Sequence, residues 1–168
     1  AIGISNFYAD RMVEFCEFND TGVAPMVNQM ERHPLNQNTE LQEWEKRYNV
    51  QPEAWAPFGE GRGGLFENPV LAQIAAAHGK STAQVMLRWN LQRGVIVIPK
   101  SVHHERMEQN LDVFDFELSA EEMARIAALD TKASSFFSHA DPAMVQWFAK
   151  MVEERKHQHD SAKEKKSW

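Results

Sequence analysis

Lys100 and Arg106 lie in a stretch whose residue types suit the capture of a phosphate. The stretch runs Ile96-Val97-Ile98-Pro99-Lys100-Ser101, then Val102-His103-His104-Glu105-Arg106, then Gln109-Asn110. Its apolar Val/Ile run reads as a parallel strand buried on both faces. The helix expected after it offers free N–H groups and a positive dipole end to an anion. Arg106 and Asn110 are spaced i, i+4, so both can face one ligand. Arg grips a phosphate bidentately, whereas Lys acts as a point charge. The competing use of Arg106, pairing with Glu105 or Glu108 on a solvated helix face, is the commoner fate of a surface Arg, and the adjoining Pro-Lys-Ser argues against it. Other side chains form weaker sets. The seven histidines show no metal-ligand spacing, and zinc needs converging ligands. His33 sits in a Glu-Arg-His-Pro turn, and His103 and His104 receive no role. Glu31 and Glu53 flank strands without reading as an acid pair for hydrolysis. Cys16 falls on the apolar face of a helix and reads as core.

Strand and helix signals alternate along the chain, the pattern of parallel α/β construction. Ala1 to Ser5, Ala24 to Met30, Gln51 to Trp55 and Val95 to Ile98 read as four strands. A helix is expected from about Asp10 to Phe18, with Met12, Val13, Phe15, Cys16 and Phe18 inward and Asn19-Asp20-Thr21-Gly22 as its stop. Thr39 to Tyr48 is helical in pattern. After the glycine-rich Gly59-Glu60-Gly61-Arg62-Gly63-Gly64, a helix opens at Asn68-Pro69 and stops at Gly79. A capping box of Ser81 with Gln84 opens the next, and Ser119 with Glu122 caps another. A last helix follows Asp141-Pro142. Its polar end, residues 151–168, is expected to fray, which leaves residues 1–150 as the packed unit.

The 168 residues are 43% hydrophobic and 25% charged, enough for a single sizeable core. No apolar stretch approaches a membrane span. A formal net charge of −6 argues against a nucleic-acid surface. The lone Cys16 excludes an intrachain disulfide and suits a reducing compartment such as the cytoplasm. A small molecule is the expected ligand.

Five motifs, in order, resemble those of the aldo-keto reductases. They are Gly3-Ile4-Ser5-Asn6-Phe7, Val27-Asn28-Gln29-Met30-Glu31, Glu53-Ala54-Trp55-Ala56-Pro57-Phe58, the Pro99-Lys100-Ser101 segment, and Val113-Phe114-Asp115-Phe116-Glu117-Leu118. The Trp in Ala-Trp-Ala-Pro-Phe is closest to bacterial members similar to diketogluconate reductases. The resemblance implies an α/β fold, the carboxyl-terminal half of a (β/α)8 barrel: about four parallel strand-helix units plus carboxyl-terminal helices. It also implies a cofactor, NADP(H), and an activity, hydride transfer between a nicotinamide and an aldehyde or ketone. Ser5, Asn6 and Gln29 would hydrogen-bond the nicotinamide carboxamide, and Trp55 would stack on the ring. The segment Ala56-Pro57-Phe58-Gly59-Glu60-Gly61 would pass under the pyrophosphate, although Glu60 would repel a phosphate if it pointed inward. Lys100, Ser101, Val102 and Arg106 would hold the adenosine 2′-phosphate, with Gln109 and Asn110 reaching the adenine. Trp147 and Phe148 match the tail that closes over substrate in relatives.

The family's catalytic Asp, Tyr, Lys and His match no segment of this chain. Tyr8 and Tyr48, its two tyrosines, lie outside the catalytic context. The chain therefore reads as a cut piece, expected to be inactive alone and to seek its missing amino-terminal half or another copy through open sheet edges. Two other readings stay open. One is a non-catalytic, nucleotide-binding regulatory or partner-binding protein of the same fold. The other is a relic that binds nothing.

Overall fold

The computed structural model describes residues 1–20 and 22–164 and divides the chain into two compact units, Ala1–Ser135 and Phe136–Trp168. In the first unit, strands β1 (Gly3–Ser5), β2 (Val27–Glu31), β3 (Gln51–Trp55) and β4 (Ile96–Val97) alternate with helices α1 (Ala9–Phe18), α2 (Thr39–Arg47), α3 (Pro69–His78), α4 (Thr82–Gln92), α5 (His104–Leu111) and α6 (Ala120–Ala127). The strands form one parallel sheet in the order β1-β2-β3-β4, the arrangement of half a (β/α)8 barrel. Its register aligns Ser5 with Gln29 and Gln29 with Glu53. Thus Ser5 at the end of β1 and Gln29 and Glu53 at the middle of β2 and β3 stand abreast on one face.

The helix boundaries follow their caps. Asn68 Oδ1 accepts the backbone N–H of Val70 and Leu71, with Pro69 at the first helical position and Gly79 closing α3 in the left-handed region. Ser81 with Gln84 and Ser119 with Glu122 both form complete capping boxes. Two apolar clusters hold the helices. Leu65, Leu71, Ile74, Val85, Met86, Trp89 and Ile126 pack α3, α4 and α6 together. Met12, Met30, Leu41 and Val50 lock α1 and α2 onto β2.

Three expectations change here. Phe18 is 80% exposed, not inward, because it is the last residue of α1, where the apolar stripe runs past the body it packs on. The Val/Ile run is not buried on both faces: Ile96 and Ile98 are 41% and 46% exposed. β4 is an edge strand, paired with β3 alone. β2 begins at Val27 rather than Ala24, since the bridges to β1 and β3 both start at Val27. Thr21, part of the expected stop after α1, lies outside the described residues.

Where β2 meets α2, Arg32 Nη2 donates to Glu45 Oε2 with both side chains fully buried. Asn28 Nδ2 donates to Glu45 Oε1 at 3.1 Å and to the Phe7 carbonyl at 2.9 Å. Burial pushes the Glu45 carboxyl above its ordinary range and the Arg32 guanidinium below its own, and their mutual attraction only partly offsets this.

In the second unit, α7 (Pro142–Glu164) is a single helix. Phe137 packs on Phe148 at 5.1 Å between ring centroids, and Trp147 meets Phe148 at 5.0 Å. Residues 165–168 of the polar end, where fraying is expected, lie outside the described residues. No described helix is long and apolar enough to cross a membrane.

Glu45→Ala strands a buried guanidinium that already lacks partners at Nε and Nη1. It should destabilise the first unit by about 3–5 kcal/mol, measured as a fall in the denaturant midpoint.

Candidate functional site

The expected site residues gather into two neighbouring groups at the carboxyl ends of the strands. The first comprises Ser5, Asn6, Gln29 and Trp55. Ser5 Oγ donates to the Gln29 carbonyl at 3.0 Å. Asn6, in the left-handed region at φ 61°, accepts at Oδ1 from Trp55 Nε1 at 2.8 Å, which fixes the indole across β1 and β3. Gln29 Nε2 donates to Glu53 Oε1. These bonds leave the Asn6 Nδ2 donor and the Gln29 Oε1 acceptor without protein partners among the described residues. A free amide donor and a free amide acceptor are the groups a carboxamide can pair with.

The second group lines a cleft of about 330 Å³ formed by Phe58, Phe66, Ser81, Thr82, Ala83, Lys100, Ser101, Arg106, Gln109 and Asn110. Five of the six polar and apolar residues expected from Lys100 onward are here. Val102 is not; its side chain is 75% exposed and lies outside the lining. Lys100 and Arg106 form no ion pair with any carboxylate among the described residues, so Glu105 and Glu108 do not neutralise Arg106. Ser101 Oγ accepts the His103 N–H at 3.1 Å, shaping the turn into α5. Ala56, itself left-handed at φ 47°, links Trp55 of the first group to Phe58 of the second.

The residues missed by sequence reasoning are Phe66 and the first turn of α4. Ser81 was legible as a cap. That its helix start, a positive dipole end, faces the cleft is a product of tertiary placement and leaves no sequence signal.

The glycine-rich loop meets the protein itself. A Cβ on Gly63 would lie 2.7 Å from Leu35 Cδ1, and one on Gly59 would lie 3.0 Å from Leu65 Cδ1 and 3.7 Å from His33 Cδ2. Both glycines have positive φ, and a side chain at Gly63 would need Leu35 to shift. Glu60 is exposed at φ 51°.

That turn carries a further polar network. Glu31 Oε1 accepts from His33 Nε2 at 2.9 Å and from the Ser135 N–H at 2.8 Å, and Glu31 Oε2 accepts from Ser134 Oγ. Burial raises the Glu31 carboxyl, but the hydrogen bonds from His33, Ser134 and Ser135 outweigh it and hold the group below its ordinary range. Ser135 Oγ lies 3.2 Å from His33 Nε2. The Ser-His-Glu grouping is not a nucleophilic triad. Leu35 N–H donates to His33 Nδ1 at 3.3 Å, so Nε2 carries the proton and no basic nitrogen faces the hydroxyl.

Comparison with known proteins gives the family. A model of the aldo/keto reductase family matches residues 1–131. The glyoxal reductase of Bacillus subtilis (strain 168) is 48% identical over 130 residues, covering 77% of this chain and 46% of that protein. Methylglyoxal reductase DkgA of Escherichia coli (strain K12) is 40% identical over 130 residues, with the same coverage. Among solved structures, MGS-M4, an aldo-keto reductase enzyme from a Medee basin deep-sea metagenome library, matches with a TM-score of 0.79 and 39% identity, covering 84% of this chain and 52% of that one. A variant of Gox0644 in complex with NADPH matches with a TM-score of 0.73 and 42% identity, over 80% of this chain and 48% of that one. The chain thus spans about half the length of the relatives it matches. With its four-stranded parallel sheet and the family model matched over most of its length, this chain belongs to the aldo/keto reductase family.

Proposed function

We propose that the chain is the cofactor-binding half of an NADP-dependent oxidoreductase that interconverts small aldehydes or ketones and alcohols. One observation carries the reading: Lys100 and Arg106 share a cleft with no carboxylate to neutralise them. An anion of the size and charge of a 2′-phosphate suits two uncompensated cations. The walls fit the rest of the nucleotide, with Phe58 and Phe66 apolar and Gln109 and Asn110 able to hydrogen-bond a purine edge. Asn6 and Gln29 offer a donor and an acceptor for a carboxamide, and Trp55, three residues before Phe58 and anchored on Asn6, supplies a ring. When bound, NADPH supplies the hydride. This chain's part is to hold the dinucleotide and orient the nicotinamide, which decides the face that reacts.

Support for the substrate class comes from the relatives, which are named reductases of glyoxal and methylglyoxal. No residue here is assigned the proton donation that carbonyl reduction requires. The two tyrosines are placed elsewhere: Tyr8 directly precedes α1, and Tyr48 Oη donates to Glu17 at 2.6 Å. A nucleotide-binding protein without turnover is the second reading, favoured by a complete cleft beside an incomplete catalytic set.

Two measurements test the proposal. Titration followed by Trp fluorescence should show NADPH bound more tightly than NADH. Lys100→Ala with Arg106→Ala should weaken NADPH by roughly 150-fold or more, the loss of two charged hydrogen bonds, while leaving NADH nearly unchanged. Equal affinity of the unaltered chain for NADH and NADPH would refute the 2′-phosphate assignment. The purified 168-residue chain should not oxidise NADPH with methylglyoxal, and turnover above background would overturn the reading of a half without its proton donor.

A further inference from the structure

We infer that Glu31, His33 and the segment 130–135 form a brace that holds the glycine-rich loop in its cofactor-binding shape, making Ser134 and Arg62 positioning residues for the dinucleotide. The inference rests on the cofactor reading above. Three segments distant in sequence meet in it: the turn after β2, the loop at 59–64, and the strap that follows α6.

The strap is stitched down along its length. Gln37 Nε2 donates to the carbonyls of Ile126 and Ala127 at 2.9 and 3.2 Å, and the Gln37 N–H reaches Asp130 Oδ1 at 3.2 Å. Thr131 donates to the Leu35 carbonyl from both its backbone N–H, at 2.9 Å, and its hydroxyl, at 2.7 Å. Ser134 and Ser135 then close on Glu31 and His33. The same turn and strap grip the loop at three points. Gly59 sits against the fully buried His33 ring, Gly63 against Leu35, and Arg62 Nη1 donates to the Ser135 carbonyl at 3.2 Å.

A loop with glycines at 59, 61, 63 and 64, all with positive φ, has little conformational preference of its own. Left unbraced, it would have to be ordered at the moment of binding, and that cost would appear as lost affinity. The loop starts one residue after Phe58, which lines the cleft, so its shape bears on the middle of an extended dinucleotide. It does not bear on the 2′-phosphate end held by Lys100 and Arg106. That separation makes the brace testable apart from the cleft.

Isothermal titration of the 168-residue chain with NADPH and with adenosine 2′-monophosphate, which lacks the pyrophosphate and nicotinamide, decides the matter. Arg62→Ala and Ser134→Ala should each weaken NADPH by about three- to tenfold, one hydrogen bond's worth of positioning. Both should leave adenosine 2′-monophosphate affinity unchanged. Ser134→Thr, which retains the hydroxyl, should restore NADPH binding. Arg62→Ala alters an exposed side chain, so its result stands even if Ser134→Ala unfolds early. Unchanged NADPH affinity in Arg62→Ala, or an equal loss for both ligands in the two variants, overturns the brace while leaving the cleft assignment intact. Failure of the unaltered chain to bind either ligand overturns the cofactor reading, and the brace falls with it.

Discussion

The buried pair Arg32–Glu45 fixes the turn after β2, and much of the carboxyl end of the sheet depends on that turn. Side chains alternate across an extended chain. With Arg32 committed to the helix side, where it meets Glu45 and α2, Glu31 and His33 must both emerge on the opposite side. There they lie close enough to bond each other, and together they receive Ser134 and Ser135. One buried ion pair therefore sets which way three consecutive side chains point. Desolvation makes such a pair a weak source of net stability, and its value here is directional.

The same alternation governs the sheet's open face. Ser5, Gln29 and Glu53 stand in register on the side away from the helices, and Ile96 occupies the matching position on β4. The resulting surface changes from polar at β1–β3 to apolar at β4. Parallel sheets are ordinarily covered on both faces, and the partial exposure of Ile96 and Ile98 departs from that pattern at the edge strand. Along the polar stripe Gln29 Nε2 donates to Glu53 Oε1 and Trp55 Nε1 donates to Asn6 Oδ1.

Local signals were legible in the sequence wherever one residue decides an outcome. Asn68-Pro69, Gly79 and the two capping boxes set helix boundaries through bonds made within three residues, and those boundaries match. Lys100, Ser101, Arg106, Gln109 and Asn110 were legible as a group because they share one turn and one helix. Contributions from distant segments were not. Phe66 and the start of α4 join the cleft through packing of α4 on α5, and Ser134 reaches Glu31 across 103 residues. Phe18 failed for a related reason: helical periodicity places it on the apolar stripe without indicating where the body beneath that stripe ends. The glycine-rich loop was legible as a loop, but whether a glycine yields to a phosphate or to a leucine depends on what approaches it, and at Gly63 that is Leu35.

Charge compensation separates structure from function across this chain. Arg32 is answered by Glu45, Lys80 by Asp112 and Asp115, and Arg88 by Glu117. Each of these cations has an acidic partner supplied by another element. Lys100 and Arg106 stand apart in sharing a cleft that no carboxylate enters, although the chain as a whole carries six more negative than positive charges. Arg93 and Lys46 also form no ion pair among the described residues, so what is particular here is that two such cations share one cleft. It requires that nearby carboxylates point elsewhere, as Glu108 does toward His104 at 3.6 Å. The cleft is thereby lined by two cations and no carboxylate.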